Sequence, residues 1–215
     1  MSQFINTDTE EIKKFDEVAN IWWNLKGEMG TLHTINPLRT KFITDGLDLT
    51  GRKVLDVGCG GGRTVTKLAD RAGKGKTYGI DNSEESVAWA RKTNRQLIEM
   101  GRVEIQLNSV SEMPFTDEMF DLVTAVETHF WWPDIGAGMR ESFRVLKPGG
   151  RMIIIAEMYN GGKHAKYVTT LTKMITMAFL TVDQHKAIFA DAGFTDVQVY
   201  EELSRGWICA TGAKQ

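Results

Sequence analysis

The segment VLDVGCGGGRT, Val54 to Thr64, places an aspartate two residues ahead of the first of four glycines that fall within five positions. Glycine lacks a Cβ, so such a loop turns sharply and lets a ligand lie against bare main chain. An apolar run followed by a glycine loop that opens a helix is the arrangement of nucleotide-binding sites in α/β sheets. The spacing here is D-x-G-x-G-x-G, from Asp56 through Gly58 and Gly60 to Gly62. A dinucleotide fingerprint counted from Gly58 needs a glycine where Arg63 stands, and no Gly-Lys-Ser/Thr of a P-loop is present. A carboxylate beside a pyrophosphate repels it, whereas one beside an ammonium or sulfonium group attracts it. The expected ligand therefore has a cationic part.

Asp81, in YGIDNS, lies 25 positions after Asp56 at the end of the second apolar run. An acid there can accept hydrogen bonds from both ribose hydroxyls of an adenosine. A cationic end and a ribose together point to S-adenosylmethionine. With so activated a methyl donor the protein has mainly to align a nucleophile, exclude water and remove a proton. A phenol titrates at about 10, and a histidine near neutrality suits the removal of its proton. His129, after the fourth apolar run in VETHFWWPD, is the first candidate base, and His33 in the N-terminal segment is the second. The competing reading of His129 is that it packs or caps the next turn. The pairs Trp22-Trp23 and Trp131-Trp132 supply aromatic walls for a planar or cationic acceptor, although core packing accounts for at least one ring of each. Cys59 reads as a small loop residue whose backbone matters, not as a nucleophile.

The elements that must carry these residues alternate. Apolar β-branched runs at Val54–Val57, Thr77–Ile80, Val103–Leu107, Phe120–Val126 and Met152–Ala156 are separated by helical patterns at Thr64–Arg71, Ser83–Met100 and Asp134–Leu146. This is the signature of βαβ units and a parallel sheet. Lys147-Pro148-Gly149-Gly150 stops the third helix. TVDQHKAIFADAGF predicts a last helix, and TDVQVYEEL with GWICATGA predicts a closing antiparallel hairpin. The fold class expected is α/β, a doubly wound, seven-stranded, mainly parallel sheet. Residues 1–47, with helices at about Thr9–Asn24 and Pro37–Leu47, are expected to form a helical cap before a 48–215 domain that carries a helical insert at about 160–180. Tyr167, Leu171, Met174 and Ala178 share one face of that insert, which reads as a substrate cover.

With 26 basic and 28 acidic residues in 215, the formal net charge is −2, which does not favour a nucleic-acid partner. Cys59 and Cys209 are the two cysteines, without metal-ligand spacing, so a reduced cytoplasmic setting and no metal are expected. Neither an apolar leader nor a run of about 18 apolar residues occurs, so no stable membrane insertion is expected.

VLDVGCGGG, GIDNS, SEMPFTDEMFDLV, FRVLKPGG and FADAGFTDVQV together resemble the class I S-adenosylmethionine-dependent methyltransferases, in their small-molecule, type 11-like branch. The resemblance implies that Asp56, Gly58, Cys59 and Gly60 hold the methionine end of the cofactor, joined by Glu127. It assigns Asp81 and Asn82 to the ribose. Where that family carries an adenine-binding aspartate this chain reads NSVSEMPF, so the adenine falls to the Ser109 hydroxyl and the Val110 backbone. Trp22 is assigned to the cofactor from the N-terminal segment. KFDEVANIWWNLKGEMGTLHTINPLRTKFI resembles the opening of the O-methyltransferases of ubiquinone biosynthesis. Their E-x-x-E-H motif, implicated in metal binding, is interrupted here, with Glu127 kept but Phe130 and Trp131 in place of the second acid and the histidine. The function expected is methyl transfer to a small-molecule acceptor, oxygen favoured. Nitrogen or sulfur acceptors, and a catalytically silent cofactor-binding module, are the alternatives.

Overall fold

The computed structural model of the chain describes residues 47–165, 168 and 177–215. The expected N-terminal helices, with Trp22 and His33, and most of the insert, with Tyr167, Leu171 and Met174, lie outside the described residues. Residues 177–180, at the end of the expected insert helix, are not helical. Two compact units divide after Met113. The seven strands are ordered β3-β2-β1-β4-β5-β7-β6, in the mainly parallel α/β sheet that the alternation of patterns predicts. No helix among the described residues is long and apolar enough to cross a membrane.

The first unit contains β1 (Lys53–Val57), α1 (Arg63–Ala72), β2 (Lys76–Asp81), α2 (Glu84–Thr93), α3 (Arg95–Glu99) and β3 (Val103–Leu107). β1 pairs with β2 and β2 with β3, both in parallel. β1 and β2 each bury four successive residues, as strands covered on both faces must. In α1 the buried residues are Val65, Leu68, Ala69 and Ala72, one stripe of a helix. Val65 and Ala69 pack with Val87 and Ala90 of α2 and with Val103 and Ile105 of β3.

The single helix expected over Ser83–Met100 is broken at Asn94, which ends α2 with φ −103° and ψ 15°. Asn94 is buried, so its polar atoms need partners. Its Nδ2 donates to the carbonyls of Gly62 and Ala90, 2.9 Å each, and its Oδ1 accepts from Thr66 Oγ1 at 2.8 Å. Side chain to backbone bonding of this kind competes with helical continuation. The partner that holds Asn94 in place sits 32 residues earlier in the chain, beyond the reach of periodicity.

The second unit contains β4 (Phe120–Val126), a 3-10 turn (His129–Trp131), α4 (Ile135–Val145), β5 (Leu146–Ala156), α5 (Val182–Asp191), β6 (Thr195–Glu202) and β7 (Trp207–Ala213). β4 and β5 are parallel, while β7 runs antiparallel to both β5 and β6. β5 begins earlier than the expected Met152, because Leu146 already pairs with Phe120 before the register breaks and resumes at Leu122 with Arg151. The four residues 147–150 are thereby looped out of the pairing, with Lys147 Nζ on both Asp121 carboxylate oxygens at 3.0 Å. A capping box starts α5: Gln184 N–H donates to Thr181 Oγ1, and Thr181 N–H donates to Gln184 Oε1.

Replacing Asn94 with alanine removes three hydrogen bonds and with them the tie between the Gly62 carbonyl and the end of α2. The Asn94→Ala variant is expected to lose about 2 kcal/mol of stability, read as a lower urea midpoint at unchanged slope.

Candidate functional site

In the first unit the carboxyl ends of three parallel strands bring the predicted residues together. Gly58, Gly60 and Gly62 all adopt positive φ, at 68°, 50° and 78°. This alternation is open to glycine and costly for a residue with a Cβ. A Cβ at Gly62 would also stand 2.8 Å from Ala90 Cα, so Gly62 lets α1 approach α2. The loop is closed from inside: the N–H groups of Gly58 and Cys59 both donate to the Ile80 carbonyl, at 2.8 and 2.9 Å. Cys59 is buried against Gly79, whose missing Cβ would meet the sulfur at 2.9 Å. Burial and the nearby Asp81 and Asp56 carboxylates push its thiol well above its ordinary pKa, so it is a packing residue and no thiolate nucleophile.

Asp81 connects the loop to the next strand. Its Oδ2 accepts the Gly60 N–H at 2.8 Å and its Oδ1 accepts the Ser83 N–H at 3.0 Å. Ser83 is itself the buried N-cap of α2, accepting from Ser86 N–H. Asn82 is exposed at the same tip, and Asp56 is buried at the end of β1. The Asp81 carbonyl accepts from Asn108 N–H at 2.8 Å, which carries the chain after β3 to Ser109 and Val110 beside the same tip. Ser109 Oγ accepts from Ser111 N–H at 3.2 Å, which leaves its proton to donate, and Val110 is buried.

In the second unit Glu127 follows β4 with φ 59°, a sparsely populated conformation for a residue with a side chain. Its N–H donates to the Ile155 carbonyl at 2.9 Å, and its Oε1 accepts the Glu157 N–H at 2.6 Å. The carboxylate thus ties the end of β4 to the end of β5.

His129 opens the 3-10 turn and is 1% exposed. Its Nε2 lies 3.2 Å from Nε2 of His185 on α5, and Nδ1 of His185 lies 2.8 Å from the Thr181 carbonyl. Burial, followed by the facing His185, holds His129 well below the usual imidazole range. Burial likewise lowers His185, against the opposing effect of its bond to Thr181. Sequence reasoning found His129 but not its partner, because a lone histidine on an amphipathic helix 56 positions away carries no local signal. Trp132 is buried, and Phe130 stacks on Phe179 at 5.3 Å, so this part of the aromatic run is spent on packing.

Residues 55–154 match the family model of a methyltransferase domain. That stretch resembles a methyltransferase domain. A ubiquinone biosynthesis O-methyltransferase of Pseudomonas fluorescens (strain SBW25) is 38% identical over 150 residues, which cover 68% of this chain and 62% of that relative. The chain thus spans less than two thirds of the length of the curated relatives it matches. Among solved structures, a Thermotoga maritima protein described as an S-adenosylmethionine-dependent methyltransferase, possible histamine N-methyltransferase, aligns with TM-score 0.71 and 20% identity, over 95% of this chain and 99% of that one. The geranyl diphosphate C-methyltransferase of Streptomyces coelicolor A3(2), solved with Mg2+, geranyl diphosphate and S-adenosyl-L-homocysteine, aligns with TM-score 0.73 and 16% identity, over 91% and 88% of the two chains. At such identities the likeness is one of fold. The matched residues 55–154 run from β1 into β5 of the sheet described above.

The buried imidazoles give this domain a defined pH response. Both are lowered in the folded state, so the unfolded chain binds more protons between the folded values and about 6.5, and stability falls as pH drops through that window. The expected slope is up to about 1.4 kcal/mol per pH unit per ring. Urea midpoints measured from pH 7.5 downward should show it, and the His129→Leu/His185→Leu variant should show a flatter profile.

Proposed function

We propose that the protein is an S-adenosylmethionine-dependent methyltransferase acting on a small-molecule acceptor, with oxygen as the favoured methyl-accepting atom. The observation that carries this reading is the Gly60 N–H bound to the Asp81 carboxylate, which joins the glycine loop and the ribose-binding acid into one rigid piece. The chain's residues fit the cofactor. Asp81 stands at the carboxyl end of β2, where a carboxylate, which only accepts hydrogen bonds, is the group that suits the donor hydroxyls of a ribose. Asp56, Gly58, Cys59 and Gly60 are assigned to the methionine end together with Glu127, Asp81 and Asn82 to the ribose, and Ser109 with Val110 to the adenine. Trp22 joins this set and His33 stands as the second candidate base, both from a segment assigned as a helical cap before the 48–215 domain.

The bound cofactor supplies a methyl group already activated on sulfur. The protein's residues have only to orient the acceptor, keep water away and take its proton. His129 is assigned to the proton as the histidine that follows β4; its ring is neutral, and the burial that keeps it so also disfavours the imidazolium. The name of the curated relatives favours oxygen as the acceptor atom, and the possible histamine N-methyltransferase of like fold keeps amines in the assay. The near-neutral charge favours a small molecule over nucleic acid, and the two free cysteines suit a cytoplasmic setting.

Calorimetry should show saturable binding of S-adenosylhomocysteine, and Asp81→Ala should weaken it by roughly tenfold or more, since hydrogen bonds to charged groups contribute about 1.5–3 kcal/mol. Incubation with methyl-labelled cofactor and a panel of phenols, amines and thiols should label a phenol first. Binding without transfer to any acceptor identifies a silent module, and absence of binding defeats the reading altogether.

A further inference from the structure

We infer that His185 is a positioning residue that sets the tautomer of His129 and leaves His129 Nδ1 as the atom that takes the acceptor's proton. This rests on the methyltransferase reading of the same site.

The proton positions follow from the hydrogen-bond chain. A carbonyl only accepts, so His185 Nδ1, 2.8 Å from the Thr181 oxygen, carries a hydrogen and donates it. A neutral imidazole has one N–H, so Nε2 of His185 is a bare lone pair. It faces Nε2 of His129 at 3.2 Å, and two lone pairs at that distance repel, so the hydrogen between them belongs to His129. His129, neutral as well, therefore has a bare Nδ1. That nitrogen is buried and has no hydrogen-bond partner among the described residues. Burial, with the facing imidazole as a second cause at His129 alone, and not a carboxylate, lowers both rings.

The ring is packed against two others. His129 is set edgewise against Phe130, with centroids 5.2 Å apart, and lies at the same separation from His185. The turn that carries it is fastened by the Ala178 N–H donating to the Phe130 carbonyl at 3.0 Å and by the stack of Phe130 on Phe179. His185 is anchored in turn by the capped first turn of α5. A buried acceptor aimed by so much structure, yet unpaired, is a place for an incoming donor. The arrangement repeats the logic of a base oriented by a third group, with His185 and the Thr181 carbonyl as orienter.

In the reaction, the acceptor's O–H proton passes to His129 Nδ1 while the oxygen forms its bond to the methyl carbon. The carbon–sulfur bond breaks and its electron pair stays on sulfur, turning the sulfonium into a thioether. His129 leaves the step as an imidazolium that still donates from Nε2 to His185, a bond strengthened by the new charge. The proton then returns to water after product release.

The test uses the full chain labelled with 15N-histidine. The spectrum of the wild type should show His129 with its hydrogen on Nε2. His185→Leu, checked for folding by circular dichroism, should lose that preference and lower kcat by roughly tenfold or more, with cofactor KM little changed. His185→Gln, whose side-chain carbonyl can accept from His129 Nε2, should restore both the tautomer and most of the rate. A wild-type hydrogen on Nδ1, or a His185→Leu variant with unaltered tautomer and kcat, overturns the inference and leaves the methyltransferase reading standing. A wild type that binds cofactor but methylates no acceptor overturns that reading, and the base role falls with it whatever the spectrum shows.

Discussion

A single charge-assisted hydrogen bond, from the Gly60 N–H to the Asp81 carboxylate, couples the tip of β1 to the tip of β2. The three left-handed glycines allow the loop its path, but their conformational freedom has to be removed again if the loop is to hold one shape. Asp81 removes it from the front, and the shared Ile80 carbonyl removes it from beneath. The same carboxylate also fixes the start of α2 through the Ser83 N–H. The acid proposed for the ribose is therefore also the acid that shapes the glycine loop. In that proposal ligand recognition and local folding share one side chain.

Behind the loop, Asn94 plays the matching part on the inner side. It binds the Gly62 carbonyl at the start of α1 and simultaneously ends α2, so that two helices and the glycine loop are set by one buried amide. Gly62 has to be glycine for this contact, because both its φ and its distance from Ala90 exclude a Cβ. The polar network is small and fully paired, the condition under which buried polar groups sharpen a structure instead of weakening it.

The second unit holds the proposed base, and holds it buried. Two imidazoles in a place dry enough to keep them neutral cost stability as the pH falls, and the fold tolerates that cost where the rings line up from Thr181 to His129. Glu127, strained at φ 59° and bonded to Glu157 N–H, gives the segment after β4 its starting direction. The aromatic neighbours of His129 serve mainly as its mounting. Trp132 is the ring of the Trp131-Trp132 pair that core packing takes, and Phe130 beside it is buried as well.

Strand and helix order, the glycine loop, the acid at Asp81 and the closing hairpin were legible in the residues, because each is written in local spacing: runs of period two, stripes of period 3.6, and glycines where a backbone must turn. What spacing could not hold was any contact between residues far apart in the chain. The break at Asn94 depends on a carbonyl 32 positions away, the early start of β5 on pairing with Phe120, and the tautomer of His129 on a ring 56 positions on. Residue type announced that His129 was able to take a proton. Only the packing of α5 against the turn after β4 determined which of its nitrogens is bare, since that is a matter of distance and burial, and neither exists until the chain has folded.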